Sequence, residues 1–536
     1  MDIKQEIIKL RDLPDNFFNP SINDVGEITL LKNIDKAKEV LIRNINENNK
    51  ITIFADIDID GVMATSIMYN WLDGIFYDNK KVLFQQRTKG HGIKFDIVKE
   101  TDLLIIVDSS SNESEEISKI LYQNKVKEII IIDHHEVDGL EIKGGTGNIL
   151  LKFAPYVEIN DRVTLLNPHQ LDCKFKNKDI SGAMLTYRFL EYVSQEDEQW
   201  QDKIERLSDL PAISIISDVM RVDNMENRYY YYNGLNSIQN NGLFSFMDTN
   251  RINTFNVNSN KLAFEINPKI NATIRMQSIK MIFELFLQTD KVANDRKDII
   301  KKINKAYELK GKIEEEIRNK MTILFENDNI IILQNNYIDR YGVSSNFNGV
   351  LASQVANEKQ KHTIIVNSLL KGSGRAYSSY ELKGYLDEIC KGSVSCAGHQ
   401  GAFGIKINNL KNFIDIISNT PPPVDKTLPT DFEIEIEFKE LSKNIFEEIE
   451  EIQFMVGNGF PNIRFKVNNI VIKEIKETSG GNLYYLDDRK KYIRIMNKTN
   501  LLFDELDSID IYGTLSIKEY FGKIYYEIEC INIENN

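Results

Sequence analysis

Three aspartates, Asp56, Asp58 and Asp60, alternate with other residues in the stretch ADIDIDG. The preceding residues 51–54 (ITIF) have the pattern of a buried strand, and residues 62–72 have that of a helix. The acids then lie at the carboxyl end of a strand, where open α/β sheets bind their ligands. Carboxylates this close raise one another's pKa unless a cation neutralises them. The stretch is therefore either a divalent-metal site with oxygen ligands or a loop of solvated acids.

Acids and imidazoles also follow three further apolar runs. Two of these runs, LLIIV and IIII, have the pattern of buried strands. Because the carboxyl ends of parallel strands meet at one edge of a sheet, we expect the residues that follow these two runs to converge on the ADIDIDG acids. Two adjacent imidazoles in a chain with six histidines indicate function more strongly than a lone histidine does. The residues are Asp108 after LLIIV, then Asp133, His134 and His135 after IIII, and Asp218 after PAISIIS.

Composition limits the class of protein. A chain of 536 residues predicts two to four domains, and 42% apolar and 27% charged residues are ordinary for a soluble protein. The net charge of −14 argues against a general basic coat for nucleic acid but allows a local basic groove. No apolar run has the length of a membrane span, and the amino-terminal residues lack a signal-peptide core. The four cysteines form no CxxC pair, which predicts reduced thiols and a cytoplasmic location.

The elements that position these residues fall into four segments. We predict an α/β lobe with a parallel sheet over residues 1–290 and a connecting helix over 291–327, which is either a rigid spacer or a coiled-coil helix. A smaller α/β lobe follows over 328–418. After the stiff linker TPPPV, short alternating strands over 425–536 predict an all-β module, a five-stranded barrel of the OB type.

Two glycine-rich segments of the smaller lobe place polar side chains between glycines. Ser373 and Arg375 lie in GSGRAYSS, and His399 lies in CAGHQGAFGI. Such segments suit a backbone that approaches phosphate, with a guanidinium to bind it, although turns explain most glycine-rich loops. In the last module aromatic and basic residues interleave, and single-strand bases could stack on Tyr492, Tyr520 and Phe521.

The order of the motifs DxDxDG, VDSS, DHH and SD resembles the DHH phosphoesterase superfamily. Longer segments resemble its RecJ-like branch of single-strand-specific 5′→3′ exonucleases, and two glycine-rich segments resemble the signature of the DHH-associated C-terminal domain. These segments are Arg87–Gly92, Leu165–Met184, Ala263–Met276 and Phe454–Phe465 for the branch, and Gly372–Ser379 and Cys396–Ile405 for the C-terminal domain.

The resemblance implies two divalent ions in the first lobe, with Asp108 bridging them. It implies that Asp58, Asp60, His134 and Asp218 complete the ligand set and that His135 faces the substrate. Asp56 and Asp133 are either members of this centre or residues that orient its ligands. Oxygen-rich ligation with few imidazoles favours Mn²⁺ or Mg²⁺ over zinc.

The resemblance also implies contacts to the phosphates of a nucleic acid. Arg87, Ser373 and Arg375 are similar to a pocket for a 5′-phosphate. Asn271, Arg275 and His399 are similar to contacts with phosphates nearer the cut.

The function that the resemblance implies is exonucleolytic hydrolysis of single-stranded DNA from the 5′ end, in recombination, repair or replication. The implied partners are single-stranded DNA, and a single-strand-binding protein or a helicase, for a monomeric protein without membrane association. One alternative is a phosphodiesterase for oligoribonucleotides or small nucleotides. Another is a non-enzymatic replication scaffold, which the presence of every acid and both imidazoles disfavours.

Overall fold

The computed structural model describes most of the chain. Two units are separately compact: Met1–Ile270, Ile279–Ile300 and Leu428–Asn536 form the first, and Asn271–Ser278 with Lys301–Thr427 form the second. The described residues are 2–85, 91–123, 125–137, 161–253, 257–276, 278–288, 295–338, 343–378, 380–398, 400–425, 430–478, 481–485, 493–497, 508–520 and 523–535.

The first unit contains a five-stranded sheet in which every neighbouring pair is parallel, as the sequence predicts. Its strand order is β2-β1-β3-β4-β5. All residues of β1, and the last four of β4, are buried, which explains why these strands are continuous apolar runs. The strands are β1 (Ile51–Ala55), β2 (Lys80–Phe84), β3 (Thr101–Val107), β4 (Val126–Ile132) and β5 (Val163–Leu166).

Helices surround this sheet. The helix Ile59–Gly74 starts within ADIDIDG, with Asp58 as its N-cap and Asp60 in its first turn, and it is buried along most of its length. No described helix is both long enough and apolar enough to cross a membrane. The other α-helices here are Ile3–Leu10, Ile34–Asn46, Ser114–Tyr122, Gly182–Ser194, Glu198–Glu205, Asp209–Ser217, Met225–Asn236, Asn241–Thr249, Ser259–Lys261 and Ile279–Phe286, with 3-10 turns at Ile22–Asp24, Ile28–Leu30 and Phe95–Ile97 and a π-helical segment at Leu262–Ile266.

Two helices contribute residues to both units, Asn267–Arg275 and Arg296–Lys320. The long helix is shorter than the predicted one, because Met321–Glu326 forms a strand that pairs antiparallel with Ile330–Asn335. The segment MTILFE is rich in β-branched and aromatic side chains, which favour a pleated surface over further helical turns.

The second unit is a smaller α/β body, as predicted, built on one mixed six-stranded sheet of order β10-β11-β9-β8-β7-β6. Its strands are β6 (Met321–Glu326), β7 (Ile330–Asn335), β8 (His362–Val366), β9 (Lys371–Arg375), β10 (Val394–Gly398) and β11 (Ala402–Ile407). Its other helices are Asn348–Lys359, Leu382–Ile389 and Leu410–Asn419, with a 3-10 turn at Ser344–Phe347.

The carboxyl-terminal module is β-rich but differs in detail from a five-stranded barrel. Its described residues form a seven-stranded sheet, and the helix Lys443–Gln453 and the 3-10 turn Phe438–Glu440 lie between the first two strands. The strands are β12 (Ile434–Glu437), β13 (Phe465–Val471), β14 (Glu474–Thr478), β15 (Gly481–Tyr485), β16 (Ile493–Asn497), β17 (Ser508–Tyr520) and β18 (Lys523–Asn535).

This module packs on the loop that follows Asp218. The backbone N–H of Val222 donates to the Asn458 carbonyl at 2.8 Å, and the Asn458 side-chain amide donates to the Val219 carbonyl at 2.7 Å. The buried guanidinium of Arg228 lies 5.0 Å from the centroid of the Phe460 ring. The module is therefore part of the same compact unit as the parallel sheet.

We expect two helical glycines to respond oppositely to replacement by alanine. A Cβ at Gly234 would lie 2.4 Å from the Ser208 carbonyl oxygen, whereas a Cβ at Gly311 would meet nothing within 4 Å. Gly234→Ala should cost about 1–3 kcal/mol through overpacking. Gly311→Ala should add about 0.5–1 kcal/mol through helix propensity. Chemical unfolding of the two variants measures both, and a loss of stability in Gly311→Ala or none in Gly234→Ala would contradict the packing described.

Candidate functional site

The acids that follow β1, β3 and β4 lie at the same edge of the parallel sheet. Asp56 directly follows β1, Asp108 follows β3, and Asp133 follows β4. Their distances and hydrogen bonds separate them into acids whose oxygens are held by protein donors and acids whose oxygens are not.

Asp108 is the acid whose oxygens lack hydrogen bonds. Its side chain is 1% exposed, and neither carboxylate oxygen makes a hydrogen bond within the described part of the chain. The backbone of Asp108 is left-handed, with φ of 61°. A Cβ on Gly182 would lie 2.6 Å from Oδ1 of Asp108, so only glycine allows that helix to approach.

His134 faces three carboxylates through one nitrogen. Its Nε2 lies 3.2 Å from Oδ1 of Asp108, 3.5 Å from Oδ2 of Asp60 and 3.4 Å from Oδ2 of Asp218. This nitrogen makes no hydrogen bond among the described residues. Ligand atoms that share an octahedral ion at about 2.1 Å lie about 3 Å apart, so this arrangement suits a shared cation.

Two helices hold the other two acids of this group. The backbone N–H groups of Gly182 and Ala183, at the start of one helix, donate to Asp60 at 2.6 and 2.7 Å, and the Ser214 hydroxyl also donates to it. Asp218 caps the carboxyl end of the helix Asp209–Ser217. A negative charge there opposes the helix dipole, so a cation at Asp218 would remove an unfavourable interaction.

Asp133 is fully buried, and its oxygens are occupied. Oδ1 accepts from the His134 and His135 backbone N–H groups and contacts Nδ1 of His135 at 2.8 Å, while Oδ2 accepts from the Ser111 N–H. The His135 ring is 51% exposed. Asp133 therefore orients His135, whose other nitrogen is left for an external group.

A second carboxylate–imidazole pair lies beside the first acids. Nδ1 of His91 is 2.6 Å from Oδ2 of Asp56 and 4.0 Å from Oδ2 of Asp58, and the Gly92 N–H donates to Oδ1 of Asp56 at 3.2 Å. Asp58 begins the helix Ile59–Gly74, accepting from the Gly61 N–H at 3.0 Å.

Three groups of side chains among the described residues could hold a metal ion, and two of them share His134. In each, one ligand atom from every member lies within 4.8 Å of the others. The groups are Asp108, His134 and His135; Asp60, His134 and Asp218; and Asp56, Asp58 and His91. The unpartnered oxygens of Asp108 and the unpartnered Nε2 of His134 fit a divalent cation, since buried polar atoms without partners are costly.

The electrostatics of the site follow from this crowding. Burial, with the charges of Asp60 and Asp58, raises the pKa of Asp108 well above its usual range and that of Asp218 to about 9. Burial lowers the pKa of His134. Burial also acts to lower the pKa of His135, but Asp133 outweighs it and raises that pKa to about 10. At neutral pH the metal-free site therefore presents a charged imidazolium beside acids whose ionised forms are disfavoured.

The second unit carries another candidate site, around Arg375. Ser373 and Arg375 lie two residues apart on β9 and so share a face of the strand. A Cβ on Gly349 would lie 2.7 Å from Nη2 of Arg375 and 3.4 Å from Oγ of Ser373. Gly349 is the second residue of the helix Asn348–Lys359, whose amino-terminal end favours anions.

Arg375 carries a charge that no described carboxylate neutralises. It is half-buried, burial lowers its pKa, and its Nη1 donates to the Gly374 carbonyl at 2.8 Å. None of the ion pairs among the described residues includes it. The glycines beside it have a structural reason: a Cβ on Gly372 would lie 1.8 Å from the Ile365 carbonyl, and one on Gly374 would lie 2.5 Å from the Phe403 ring.

Asn271 and Arg275 also belong to the second unit. Nη1 of Arg275 donates to the Asn346 carbonyl at 2.5 Å, and the Asn346 side chain donates to the Arg275 carbonyl at 2.9 Å. Asn346 precedes the helix that begins at Asn348, so Arg275 is tied to the segment leading to Gly349. Asn271 is half-buried on the same helix as Arg275.

The described part of the structure does not include the side chains of five predicted residues. Arg87, His399, Tyr492 and Phe521 lie outside the described residues, as does the side chain of Tyr520. Their roles stay predictions.

Sequence reasoning missed the residues that hold the acids in place. His91 and Ser214 contact Asp56 and Asp60, and the N–H groups of Gly182 and Ala183 complete the surroundings of Asp60. The segment ISGAM carried a signal, because Ser181 before two small residues is typical of a helix start that binds an anion.

Comparison with known proteins shows what the first lobe is similar to. Residues 50–215 match the family "DHH family, N-terminal domain". The resemblance to the DHH phosphoesterase superfamily and its RecJ-like branch is thereby confirmed.

Two relatives illustrate the similarity of the whole chain. It is 26% identical over 584 residues to the SPbeta prophage-derived single-strand DNA-specific exonuclease YorK of Bacillus subtilis strain 168, covering 98% of this chain and 95% of that protein. It is 21% identical over 475 residues to the single-stranded-DNA-specific exonuclease RecJ of the same strain, covering 83% of this chain and 55% of RecJ.

The fold is that of a solved RecJ. Structures of RecJ from Thermus thermophilus in complex with Mn²⁺ and with Mg²⁺ match 99% of this chain, with TM-scores of 0.71 and 0.69 and 18% and 16% identity. The matched regions make up 78% and 76% of the two Thermus thermophilus chains. The predicted fold class, two α/β lobes followed by a β-rich OB-type region, is confirmed.

We expect Asp108→Asn to stabilise the metal-free protein. Because the pKa of Asp108 is raised, folding without metal at neutral pH must either bind a proton at this carboxyl or bury an unfavourable charge, and a neutral isostere removes that cost. Thermal unfolding in chelator should shift upward by on the order of a few degrees. Added Mn²⁺ should then raise the melting temperature of the wild type but not of the variant.

Asp102→Asn is the matched control, since Asp102 lies at the other end of β3 and pairs with Lys127 at 2.7 Å. It should keep the Mn²⁺-dependent shift. A destabilised Asp108→Asn protein that still responded to Mn²⁺ would contradict the assignment of Asp108 to the metal centre.

Proposed function

We propose that this chain, whose first lobe contains a DHH-family domain, is a metal-dependent exonuclease that degrades single-stranded DNA from the 5′ end. The observation that carries the proposal is the buried Asp108 carboxyl, whose oxygens make no hydrogen bond among the described residues and which lies 3.2 Å from Nε2 of His134, a member of two groups of potential metal ligands. The names of its relatives support the substrate, since YorK and RecJ are described as exonucleases specific for single-stranded DNA.

The centre is proposed to hold two divalent ions, Mn²⁺ or Mg²⁺, the ions in the Thermus thermophilus RecJ structures. Asp60, His134 and Asp218 would hold the inner ion, Asp58 with Asp56 the outer ion, and Asp108 would contribute to both. When bound, such ions lower the pKa of the attacking water and stabilise negative charge on the phosphate.

The side chains of the protein would position the metal ligands and provide one group, His135, that can donate a proton. Asp133 fixes the ring of His135 and keeps it protonated, so His135 can donate a hydrogen bond to a phosphate oxygen or a proton to the leaving oxygen. The helix starting at Gly182 holds Asp60 through two N–H groups, which fixes one ligand before any ion binds. Pre-positioned ligands of this kind reduce the reorganisation that binding requires.

Direction is proposed to come from the site in the second unit. Arg375 and Ser373, next to the start of a helix at Gly349, form a cationic site suited to a terminal phosphate. Arg87 is proposed to share this pocket, while Asn271, Arg275 and His399 are proposed to contact phosphates nearer the cut.

The protein is further proposed to act as a cytoplasmic monomer in DNA recombination, repair or replication, with a single-strand-binding protein or a helicase as partner. The cysteines within the described residues, Cys173, Cys390, Cys396 and Cys530, are all unpaired, which agrees with a reducing compartment.

Degradation of labelled strands tests the function. A 5′-labelled single strand, its duplex and an RNA analogue are incubated with Mn²⁺, Mg²⁺ or chelator. We expect digestion of the single strand with either ion and none in chelator. Asp108→Asn should abolish digestion and Asp102→Asn should not. An active Asp108→Asn protein, or equal digestion of the duplex, would refute the proposal.

We expect Arg375→Ala to remove most of the advantage of 5′-phosphorylated over 5′-hydroxyl strands. A charge-assisted contact contributes about 1.5–3 kcal/mol, which corresponds to about a tenfold to hundredfold loss in rate on the phosphorylated strand. Lys371→Ala is the control, since Lys371 is an exposed cation on the same face of β9. The measurement is the ratio of the two digestion rates. A ratio unchanged in Arg375→Ala would mean that Arg375 contacts no terminal phosphate.

A further inference from the structure

His91 extends from a loop towards the carboxylates at the start of the helix Ile59–Gly74. Its Nδ1 is 2.6 Å from Oδ2 of Asp56 and 4.0 Å from Oδ2 of Asp58, and the three side chains can place their ligand atoms within 4.8 Å of one another. One nitrogen thus faces two carboxylate oxygens, an arrangement of one nitrogen and two oxygen donors that suits Mn²⁺.

The two ion positions of the proposed centre are unequal without this residue. The inner group has an imidazole and two carboxylates, with Asp108 beside them. The outer group would have carboxylates alone, and one oxygen of Asp56 already accepts from the Gly92 N–H. With the imidazole of His91, each of the two ion positions would have one nitrogen ligand besides its carboxylates.

A purely structural role explains the His91 ring less well. The Gly92 N–H already ties this loop to Asp56 through Oδ1. The His91 side chain is 54% exposed, whereas Asp56 is fully buried, so the ring lies at the open side of the acid cluster. Asp56 and Asp108 directly follow Ala55 and Val107, which pair on the neighbouring strands β1 and β3. The oxygens of the buried Asp108 make no hydrogen bond among the described residues, so they are an independent sign of a cation at this edge of the sheet.

We propose that His91 is a protein ligand of the outer divalent ion, through Nδ1, together with Asp56 and Asp58. The inference rests on the proposed two-ion function. Without the ion, a hydrogen bond joins Nδ1 of His91 to Oδ2 of Asp56. A ligating imidazole is neutral with its ligating nitrogen free of hydrogen, so on binding an imidazolium would release the Nδ1 proton to solvent, whereas a neutral ring would carry its hydrogen on Nε2.

Metal binding without DNA tests the proposal on the full chain. Mn²⁺ is titrated into wild-type protein and followed by calorimetry and by the electron paramagnetic resonance signal of free Mn²⁺. We expect two bound ions for the wild type. His91→Phe should bind one of them about tenfold to a hundredfold more weakly, the range seen when groups supporting a metal are removed. His169→Ala, which removes an imidazole from the loop after β5, should bind both as the wild type does.

Two further variants separate a ligand from a phosphate contact. His91→Asp keeps a ligand atom and should recover most of the Mn²⁺ affinity, while His91→Arg keeps a cation and should not. Wild-type affinity for both ions in His91→Phe, or recovery by His91→Arg alone, would overturn the assignment of His91 and leave the two-ion function standing. A wild type that binds fewer than two ions would overturn both.

Discussion

The constraint on which the first lobe depends is the concentration of buried negative charge at one edge of its parallel sheet. Asp56, Asp108 and Asp133 are each at most 1% exposed, and Asp60 is 2% exposed. Isolated charges in such surroundings are too costly to keep, so each must be protonated, hydrogen-bonded or paired with a cation. The fold supplies hydrogen bonds to some of these acids and withholds them from Asp108.

The pattern of hydrogen bonds separates the roles of chemically identical residues. Asp133 accepts from three N–H groups and contacts a ring nitrogen, so it has little capacity left for an ion. Asp108 accepts no hydrogen bond from the described residues, although Gly182 brings a helix against it. Burial and the neighbouring acids raise the pKa of Asp108 in the metal-free state, and no described hydrogen bond offsets this, so its oxygens are left for a cation. The buried acid lowers the stability of the metal-free protein, and a bound cation would remove that loss, which favours metal binding.

The sequence predicted the parallel sheet and the acids at its edge because both follow from local patterns. Apolar runs define buried strands, and an acid just after such a run must lie at the carboxyl edge. The surroundings of the acids depend on residues distant in sequence, such as Gly182 and Ser214 for Asp60, and no local pattern encodes those contacts. The glycines beside Ser373 were interpreted as phosphate-approaching, but their space is needed by the Ile365 carbonyl and the Phe403 ring. Glycine is required both in a strand packed closely against its neighbours and in a loop that approaches a ligand, so the sequence alone does not distinguish the two.

The net charge of −14 is compatible with the proposed polyanionic substrate because a few cations lie where a phosphate could bind. A general basic coat would bind any nucleic acid, duplex included, through counterion release. Among the described residues, two cationic groups suited to phosphate are local: the imidazolium of His135, held by Asp133, and the guanidinium of Arg375, which no described carboxylate neutralises. Divalent ions among the acids that follow β1 and β3 would supply a third such site. Because each site depends on geometry more than on total charge, the affinity for a strand would fall less steeply with salt than that of a broadly basic protein, and the acidic surface elsewhere would disfavour unspecific binding.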